Sequence, residues 1–447
     1  MNSSPVLTTR VFKKIEEIPP ADWNSVFPNT LEGYRFFKTL DESGLTQFQL
    51  YYILVYDGGT PVGAAPCFLM DYSLDTTIQG PLKSLSTLVK KFFPRIFSLK
   101  TLICGSPAGP GYIGIIGEPE RVIRAISRGM EPIAEVEKVA IVAFKEFGPA
   151  DAKELTCLEQ EGFCRFESNP NTRKEIRFKS FDDYLKTLSS ATRYDLKRKF
   201  KKVDGRVRIQ FEVVDRLGDS LEEAYGLYRQ MVSRHEVGFE IMSKEFFVKI
   251  SQNMPGETKF FLWRVEGKLA AFAFCLVSNG YFLDYYIGLD YSMAYEYHLY
   301  FIRFRDMMNW CLQHGIRTYE MGCTNYDPKK RLGFEFIPLT IYAKMRNKRL
   351  NPFLGRLCDL LKPERFDPVL KEMKLKFLSL LTVSVLTASG IVHAEPDRPA
   401  HARLLGYDIY ASLDDKEIET EDGSEETAKK DPDKGSPYLE VGISKSY

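Results

Sequence analysis

The clearest pattern of apolar and polar positions lies in the second half of the chain, over residues 207–346. A strand-like segment and two amphipathic helices come first, and three strand-like segments follow, separated by turn signals at 266–268 and 279–280. A long apolar helix over 295–314 and two further strands complete the segment. This order predicts one α/β unit built around a mixed sheet.

The first 180 residues repeat this plan in a less regular form. The pattern predicts a helix over Trp23–Leu40, then a hairpin whose arms are Gln49–Tyr56 and Pro61–Met70. A helix over 119–134 and a buried strand over 136–147 follow. Because the order of elements matches that of the second half, the sequence indicates an internal duplication.

Two further segments differ in character from these halves. Residues 181–206 are rich in lysine and arginine and are predicted to form a basic helical linker between an N-terminal domain at 1–180 and a C-terminal domain at 207–350. Residues 351–447 form a C-terminal extension. Within it, 412–434 is acidic and polar and is expected to be disordered.

The extension also contains a segment patterned like a secretory signal peptide, at 373–394. Lys374 and Lys376 precede an uncharged apolar run from Phe377 to Val392, and small residues end it. Three interpretations stay open: two joined reading frames, an anchor at a membrane surface, or a helix that packs on the rest of the chain.

Composition limits the classes of partner and cofactor. The formal net charge is +1, so no overall field attracts DNA or acidic substrates. The eight cysteines include no C-x-x-C pair and no histidine at zinc-ligand spacing, so we expect reduced thiols and no metal site. The N-terminus has no apolar signal region, which favours a cytoplasmic protein, with contact to a membrane surface as an option.

Three segments carry a resemblance to a known family, namely 143–172, 180–202 and 285–338. Together they resemble the FemAB-like branch of the GNAT acyltransferase superfamily, including its exopolysaccharide- and cell-wall-associated, CelD-like group. The resemblance implies a tandem double GNAT fold with the C-terminal segment appended. It also implies transfer of an acyl or aminoacyl group to an amine or hydroxyl of a cell-envelope or polysaccharide-related acceptor.

One departure from the GNAT pattern bears on the donor. The turn before the central helix reads LDYSMAYEYHLY and lacks the glycines that usually bind the pyrophosphate of coenzyme A. Acyl carrier protein and aminoacyl-tRNA therefore join acyl-CoA as expected donor substrates, and no tightly bound cofactor is expected.

The predicted catalytic residues lie on the fourth strand of the second half and at the central helix. Strand alternation predicts that Asp284 and Tyr286 share one face, with Asp284 as base and Tyr286 as acid or acceptor contact. His298 is predicted to contact the donor or relay a proton from the central helix. For each residue the alternative is a packing role.

The predicted binding residues fall into three groups. One basic face of the linker helix could bind phosphates, two tyrosines flank the turn without glycine, and Tyr326 with Lys330 precedes the sequence RLGFEF. The residues are Arg193, Arg198, Lys202, Tyr295, Tyr297, Tyr326 and Lys330. A second hypothesis makes the chain a non-catalytic GNAT-fold protein that binds RNA or anionic lipid through residues 186–208, with Tyr194 and Phe200 supplying stacking.

Overall fold

The computed structural model describes residues 7–28, 30–73, 98–234, 240–360, 362–375, 400–404, 407–414 and 438–445. The chain divides into two compact units, Met1–Pro363 and Glu364–Tyr447. The first unit contains both predicted halves and the basic segment between them.

The N-terminal half runs from β1 to β7 and alternates strands with helices. Its strands are β1 (Thr8–Phe12), β2 (Gln49–Asp57), β3 (Thr60–Ser73), β4 (Ser98–Cys104), β5 (Gly114–Ile115), β6 (Ile141–Phe147) and β7 (Cys164–Glu175). Its helices are α1 (Pro20–Val26), α2 (Tyr34–Glu42), α3 (Pro119–Val136) and α4 (Pro149–Glu154).

Two helices, α5 (Phe181–Lys186) and α6 (Ser190–Asp204), occupy the predicted basic segment. The C-terminal half then repeats the order of the first. Its strands are β8 (Ile209–Val214), β9 (Thr258–Val265), β10 (Lys268–Ser278), β11 (Tyr281–Leu289), β12 (Thr318–Glu320) and β13 (Glu335–Met345). Its helices are α7 (Leu221–Arg234), α8 (Lys244–Asn253), α9 (Tyr291–Ala294), α10 (Leu299–Gln313) and α11 (Tyr326–Arg331), and α12 (Asn351–Leu360) follows.

The repeated order confirms the α/β class and the tandem plan. In each half a first strand leads to two helices, three antiparallel strands, a long helix, a strand, a short helix and a last strand.

The two halves share one sheet and exchange their last strands. The order of hydrogen-bonded neighbours is β1-β2-β3-β4-β6-β13-β7-β12-β11-β10-β9-β8, and β5 pairs with β3. β13 of the second half therefore lies between β6 and β7 of the first, and β7 pairs with β12 of the second. Sequence patterning did not predict this exchange.

The apolar core is also shared between the halves. One cluster combines Trp23, Phe36 and Phe37 with Phe246 and Phe274, and the Phe36 and Phe246 ring centroids are 6.4 Å apart. This packing places α2 against α8, because the aromatic faces of both helices need burial. Loops of the N-terminal half are thereby brought to the strands of the C-terminal half.

Three predicted element boundaries are wrong. The helix predicted over Trp23–Leu40 is two helices, because the chain leaves helical geometry between Phe27 and Gly33, where Pro28 lacks an N–H. The segment predicted as a strand from 136 begins as a strand only at Ile141. The central helix begins at Leu299 rather than 295.

The second unit contains a three-stranded antiparallel sheet of β14 (Ala400–Leu404), β15 (Tyr407–Asp414) and β16 (Tyr438–Lys445). Residues 412–414, placed in the expected disordered tail, end strand β15, while the rest of that tail lies outside the described residues. Most of the signal-like segment, from 376 on, also lies outside them. In the described parts of the chain, no helix has the length and hydropathy needed to cross a bilayer.

Candidate functional site

Strand β11 contains a β-bulge at the position of the predicted catalytic residues. Tyr286 pairs with Phe274 of β10, but Asp284 pairs with the next residue, Cys275, so Tyr285 is the extra residue. Phe274 and Cys275 are neighbours on one strand and face opposite sides of the sheet. The prediction that Asp284 and Tyr286 share a face is therefore wrong, because the bulge shifts the alternation.

Asp284 lies in a buried ion pair behind the strand. Its Oδ2 accepts hydrogen bonds from Arg303 Nη1 at 2.6 Å and from the Tyr319 hydroxyl at 3.1 Å. Arg303 is 1% exposed, and the Asp284 charge raises the pKa of its guanidinium against the opposing effect of burial. This arrangement gives Asp284 a structural partner, and its predicted role as a base is untested.

Beyond the bulge, β11 and β12 separate. Their parallel register covers only Tyr281–Leu283 of β11, opposite Thr318–Glu320. The next residue, Met321, donates its N–H to Thr172 O of β7 at 3.0 Å, so the chain turns away from β11. From Asp284 on, β11 has no strand neighbour on this side in the described sheet.

Tyr285 and Tyr286 each bind a carboxylate near the bulge. The Tyr285 hydroxyl donates to Glu32 Oε1 at 2.5 Å, and the Tyr286 hydroxyl donates to Glu240 Oε1 at 3.4 Å. Glu32 precedes α2 of the N-terminal half, whereas Glu240 lies between α7 and α8 of the C-terminal half. Both halves thus contribute acidic groups to the same strand.

A buried lysine from the N-terminal half completes this group. Lys145 Nζ lies 2.6 Å from Glu146 Oε2 and donates to Gly109 O at 2.9 Å. Ser168 Oγ donates to Glu146 Oε1 at 3.0 Å. The charges of Lys145 and Glu146 both act on Glu240. We call Glu32, Lys145, Glu146, Glu240, Tyr285 and Tyr286 the junction cluster.

Burial shifts the proton affinities of this cluster. It raises the pKa of Glu240 to about 8, with Lys145 opposing the rise and Glu146 adding to it. Burial also raises the pKa of Glu32, opposed by its hydrogen bond with Tyr285 and by the nearby Ser106 hydroxyl. A carboxyl group whose pKa is about 8, as for Glu240, suits proton transfer near neutral pH.

The glycine-rich segment at 105–117 packs on the junction cluster. A Cβ at Gly109 would overlap the Glu32 carboxylate, and a Cβ at Gly111 would overlap the Lys145 carbonyl oxygen. Glycine at these two positions therefore permits close approach of the backbone to the cluster.

We expect Gly109→Ala to lower kcat/KM by at least about tenfold, because the new methyl displaces the Glu32 side chain from its hydrogen bond with Tyr285. Steady-state kinetics and thermal unfolding measure the effect, and Tm should fall by only a few degrees. Gly256→Ala is the matched control, since its Cβ meets no atom within 4 Å. Equal kinetics in both variants would contradict the role given to Gly109.

The sequence analysis placed His298 within the central helix, but in the structure this residue lies at the N-terminus of α10. It is the N-cap residue at φ 47°, and its side chain makes no capping hydrogen bond. Burial lowers the pKa of its imidazole, and the charges of Lys202 and Lys199 lower it further. The N-terminus of α10 and the basic helix α6 are thus neighbours.

The basic face of α6 is partly neutralised. Arg198 Nη2 lies 2.8 Å from Asp195 Oδ1, and Arg331 Nη2 lies 2.9 Å from Oδ2. Burial acts to raise the pKa of Asp195, but the hydrogen bonds from Lys199 and Arg198 outweigh this effect and lower the pKa to about 2. Lys202 is exposed, and Arg193 is half-buried.

Of the two aromatic side chains predicted to form a stacking surface on α6, only one is exposed. Tyr194 is 73% exposed, but Phe200 is buried in the core, with Arg305 over its ring. The prediction that Phe200 supplies stacking to RNA is therefore wrong, because this side chain belongs to the apolar face of the helix.

The remaining predicted binding residues lie in two places. Tyr295 is 78% exposed, and Tyr297 is half-buried, both in the turn between α9 and α10. Tyr326 is buried and donates to Pro170 O at 2.9 Å, while Lys330 is half-buried.

The neighbouring Lys329 is held by backbone carbonyl groups. It is buried and donates to Met321 O at 2.8 Å and Gly322 O at 3.0 Å. Burial lowers the pKa of Lys329 to about 8. Lys329 therefore fixes the turn at which β12 leaves β11.

Sequence reasoning missed the acidic residues of the junction cluster. Glu32 and Glu240 belong to loops that no periodic pattern marks. Lys145 and Glu146 did give a signal, since two charges interrupt an otherwise apolar strand, and Glu146 has a positive φ of 59°. In the part of the chain that the structure describes, no group of histidine, cysteine or acidic residues could hold a metal ion.

Residues 190–330 match the family model described as "Acetyltransferase (GNAT) domain". Two curated proteins of Mycobacterium tuberculosis strains, each named "Putative 8-amino-7-oxononanoate synthase 2", are 24% identical over 320 residues. The match covers 69% of this chain and 41% of each relative, so the chain spans about two fifths of their length.

Two solved structures resemble the fold. The crystal structure of FemX has a TM-score of 0.50 at 14% identity, covering 77% of this chain and 100% of that one. A tandem GNAT protein from the clavulanic acid biosynthesis pathway has a TM-score of 0.47 at 12% identity, covering 76% and 98%. The matched family and the FemX-like fold confirm the resemblance drawn from the sequence.

Proposed function

Since this chain carries a GNAT-type acyltransferase domain, we propose that it transfers an acyl or aminoacyl group from a phosphate-bearing donor to a cell-envelope or polysaccharide-related acceptor. The observation that carries the proposal is the bulge of β11 and its separation from β12, both inside the matched residues 190–330. The sequence resemblance to the cell-wall- and exopolysaccharide-associated branch supports the class of acceptor.

The separated edge of β11 suits a reacting carbonyl group. Attack on an ester or thioester creates a tetrahedral oxyanion, which is stabilised by N–H donors already in position. Backbone groups of β11 beyond Leu283 face no strand of the described sheet on the β12 side. In the proposed reaction, the donor carbonyl lies along this edge and the acceptor approaches from the junction cluster.

The N-terminus of α10 suits the donor phosphate. The first N–H groups of a helix have no partner inside the helix and, with the helix dipole, favour an anion. α10 is 15 residues long, and the charges of Lys202, Lys199 and Arg198 reach its N-cap, His298. Coenzyme A, the phosphopantetheine of acyl carrier protein and tRNA all present phosphate, so this contact supports all three donors.

We expect the purified chain to consume one of three labelled donors: acetyl-CoA, acyl carrier protein charged with an acyl group, or charged tRNA. Lys202→Ala and Arg198→Ala should each raise the donor KM about fivefold or more, because the charges of both residues reach the N-terminus of α10. The effect should shrink as salt rises from 50 to 200 mM.

Lys249→Ala is the control, because it also removes one lysine charge but from α8 rather than from α6. The ion-pair partner of Lys249, Glu245, lies on the same helix. Consumption of no donor would overturn the proposal. Turnover with unchanged KM in both α6 variants would overturn the phosphate site alone. Tight binding of RNA or anionic vesicles without turnover would instead favour the non-catalytic hypothesis.

A further inference from the structure

The surface around the start of α12 carries exposed groups that the proposed function does not use. These groups, which we call the α12 surface, are the side chains of Arg346, Lys348, Arg349, Leu350, Phe353 and Arg356. We propose that the α12 surface docks the protein on an anionic lipid bilayer. This inference goes beyond the proposed function, because docking does not depend on turnover.

The charge of the α12 surface is positive and unopposed. Residues 336–358 contain five lysine and arginine residues and no acidic residue. Lys344 is paired with Glu131, but no described carboxylate lies at ion-pair distance from the other four cations. The basic face of α6 differs, since Asp195 pairs there with Arg198. Cations without a partner on the protein attract an anionic membrane surface.

Two apolar side chains project among these cations. Phe353 is 64% exposed and Leu350 is 39% exposed, and the spacing of three residues places them on one side of the helix start. On the other side, Leu354 and Cys358 are buried in an apolar cluster of the large sheet. A helix that packs one face on the protein and exposes apolar and cationic side chains on the other is typical of a bilayer-interface element.

Backbone hydrogen bonds hold the α12 surface in one arrangement. The Asn351 side chain accepts from Met345 N at 2.7 Å and donates to Gly162 O at 2.9 Å. Arg346 N donates to Ala140 O at 2.9 Å. The turn between β13 and α12 is therefore fixed at both ends, and little backbone ordering is needed when its side chains bind.

A bilayer suits this combination better than a nucleic acid does. Both offer phosphate groups to the cations, but Leu350 has no ring that could stack on a base. An anionic bilayer accepts cations at its headgroups and leucine and phenylalanine side chains at the boundary of its acyl region. Because Arg349 and Leu350 are adjacent and both exposed, the surface favours lipid.

The α12 surface and the candidate site lie towards opposite ends of β6. Met345, the last residue of β13, pairs with Ile141 at the start of β6, and the α12 surface follows Met345 directly. Lys145 and Glu146 of the junction cluster lie near the end of the same strand. Docking through the α12 surface therefore does not bury the junction cluster.

Cosedimentation of the full chain with vesicles tests the proposal. We expect binding to phosphatidylcholine vesicles that contain about a third phosphatidylglycerol, and at least about tenfold weaker binding to phosphatidylcholine alone. Binding should weaken as salt rises. The double variant Lys348→Glu/Arg349→Glu should lower the partition coefficient at least about 25-fold, from about fivefold for each lost cation. Phe353→Ser should lower it about tenfold.

Matched controls come from exposed residues outside the α12 surface. The double variant Lys13→Glu/Lys14→Glu reverses two lysine charges, and Val136→Ser removes an apolar side chain that is 78% exposed. Both should bind vesicles as the wild type does. Every variant should keep its Tm within a few degrees, because the replaced side chains are exposed.

Phe353→Trp reports the position of this side chain directly. The three native tryptophans, Trp23, Trp263 and Trp310, are buried. We expect the emission of the variant to shift to the blue with anionic vesicles and to be quenched by lipids with brominated acyl chains, while the wild-type emission stays unchanged. Absence of both changes overturns the proposal.

The outcomes separate lipid from other partners and docking from catalysis. Equal binding to neutral and anionic vesicles, or unchanged binding in the charge-reversal and Phe353→Ser variants, overturns the proposal. So does binding of single-stranded RNA that charge reversal abolishes, without any binding of vesicles. Vesicle binding as expected with no donor consumed supports docking and contradicts only the proposed function, and turnover without vesicle binding does the reverse.

Discussion

Replacing Asp284 by asparagine is expected to lower the free energy of unfolding by about 3–5 kcal/mol. Asparagine keeps the shape of the side chain but leaves the guanidinium of Arg303, 1% exposed, without a counter-charge. Met307 and Tyr319 also contact this ion pair. The Met307 thioether carries no charge, and burial raises the pKa of the Tyr319 hydroxyl, so neither side chain can replace the carboxylate as counter-charge. Urea denaturation monitored by circular dichroism measures the change.

A double variant separates the ion pair from the site around it. Asp284→Leu with Arg303→Met removes both charges, and we expect most of the lost stability to return, because a buried pair replaced by apolar groups is often neutral. Activity per folded molecule should stay within about tenfold in this variant if Asp284 only supports the strand. If the Asp284→Asn protein is instead stable but inactive, the result would support the predicted role of Asp284 as the base.

The prediction that Asp284 and Tyr286 share one face of β11 was wrong, and the reason shows what the sequence pattern cannot report. The apolar alternation of β11 correctly predicted a strand, and turn signals correctly placed it after β10. A bulge adds one residue without changing composition, so the alternation alone gave Asp284 and Tyr286 one face. The backbone register with Phe274 and Cys275 was needed to reveal two faces.

The candidate site was partly predictable for a similar reason. Strand β11, the N-terminus of α10 and the basic helix α6 are each marked by a local pattern, and the sequence pointed to all three. Glu32 and Glu240 are ordinary loop residues until α2 packs on α8 and brings both loops to the tyrosines of β11. Such contacts between halves depend on tertiary packing, which periodicity does not report.

The tandem order of elements could be predicted because each half repeats one sequence of strand and helix periods. The exchange of β7 and β13 could not, because strand pairing between residues so distant in sequence leaves no local signal. Glu335 lies opposite Arg173, and Ala343 lies opposite Cys164. The match to residues 190–330 includes neither strand, so that segment by itself lacks part of the sheet.

The exchange of β7 and β13 leads to a second prediction with a large effect, which concerns the folding of the two halves as separate fragments. Neither fragment 1–178 nor fragment 179–363 should fold when expressed alone, because each lacks the partner of an interior strand. In the first, β6 and β7 lose β13 between them. In the second, β12 and β13 lose β7. Unpaired backbone groups of interior strands are costly and favour aggregation.

Co-expression of the two fragments should restore a soluble complex with a single cooperative unfolding transition, which size-exclusion chromatography and thermal denaturation would measure. The control is the uncut segment 1–363, which keeps every strand of the large sheet and should fold alone. If fragment 179–363 folded alone with a cooperative transition, β7 would be dispensable to the matched domain. The junction cluster depends on the same joining, since Glu32 and Lys145 come from the first fragment and Tyr285 and Glu240 from the second. Complementation should therefore restore activity together with folding, because neither half contains the whole site.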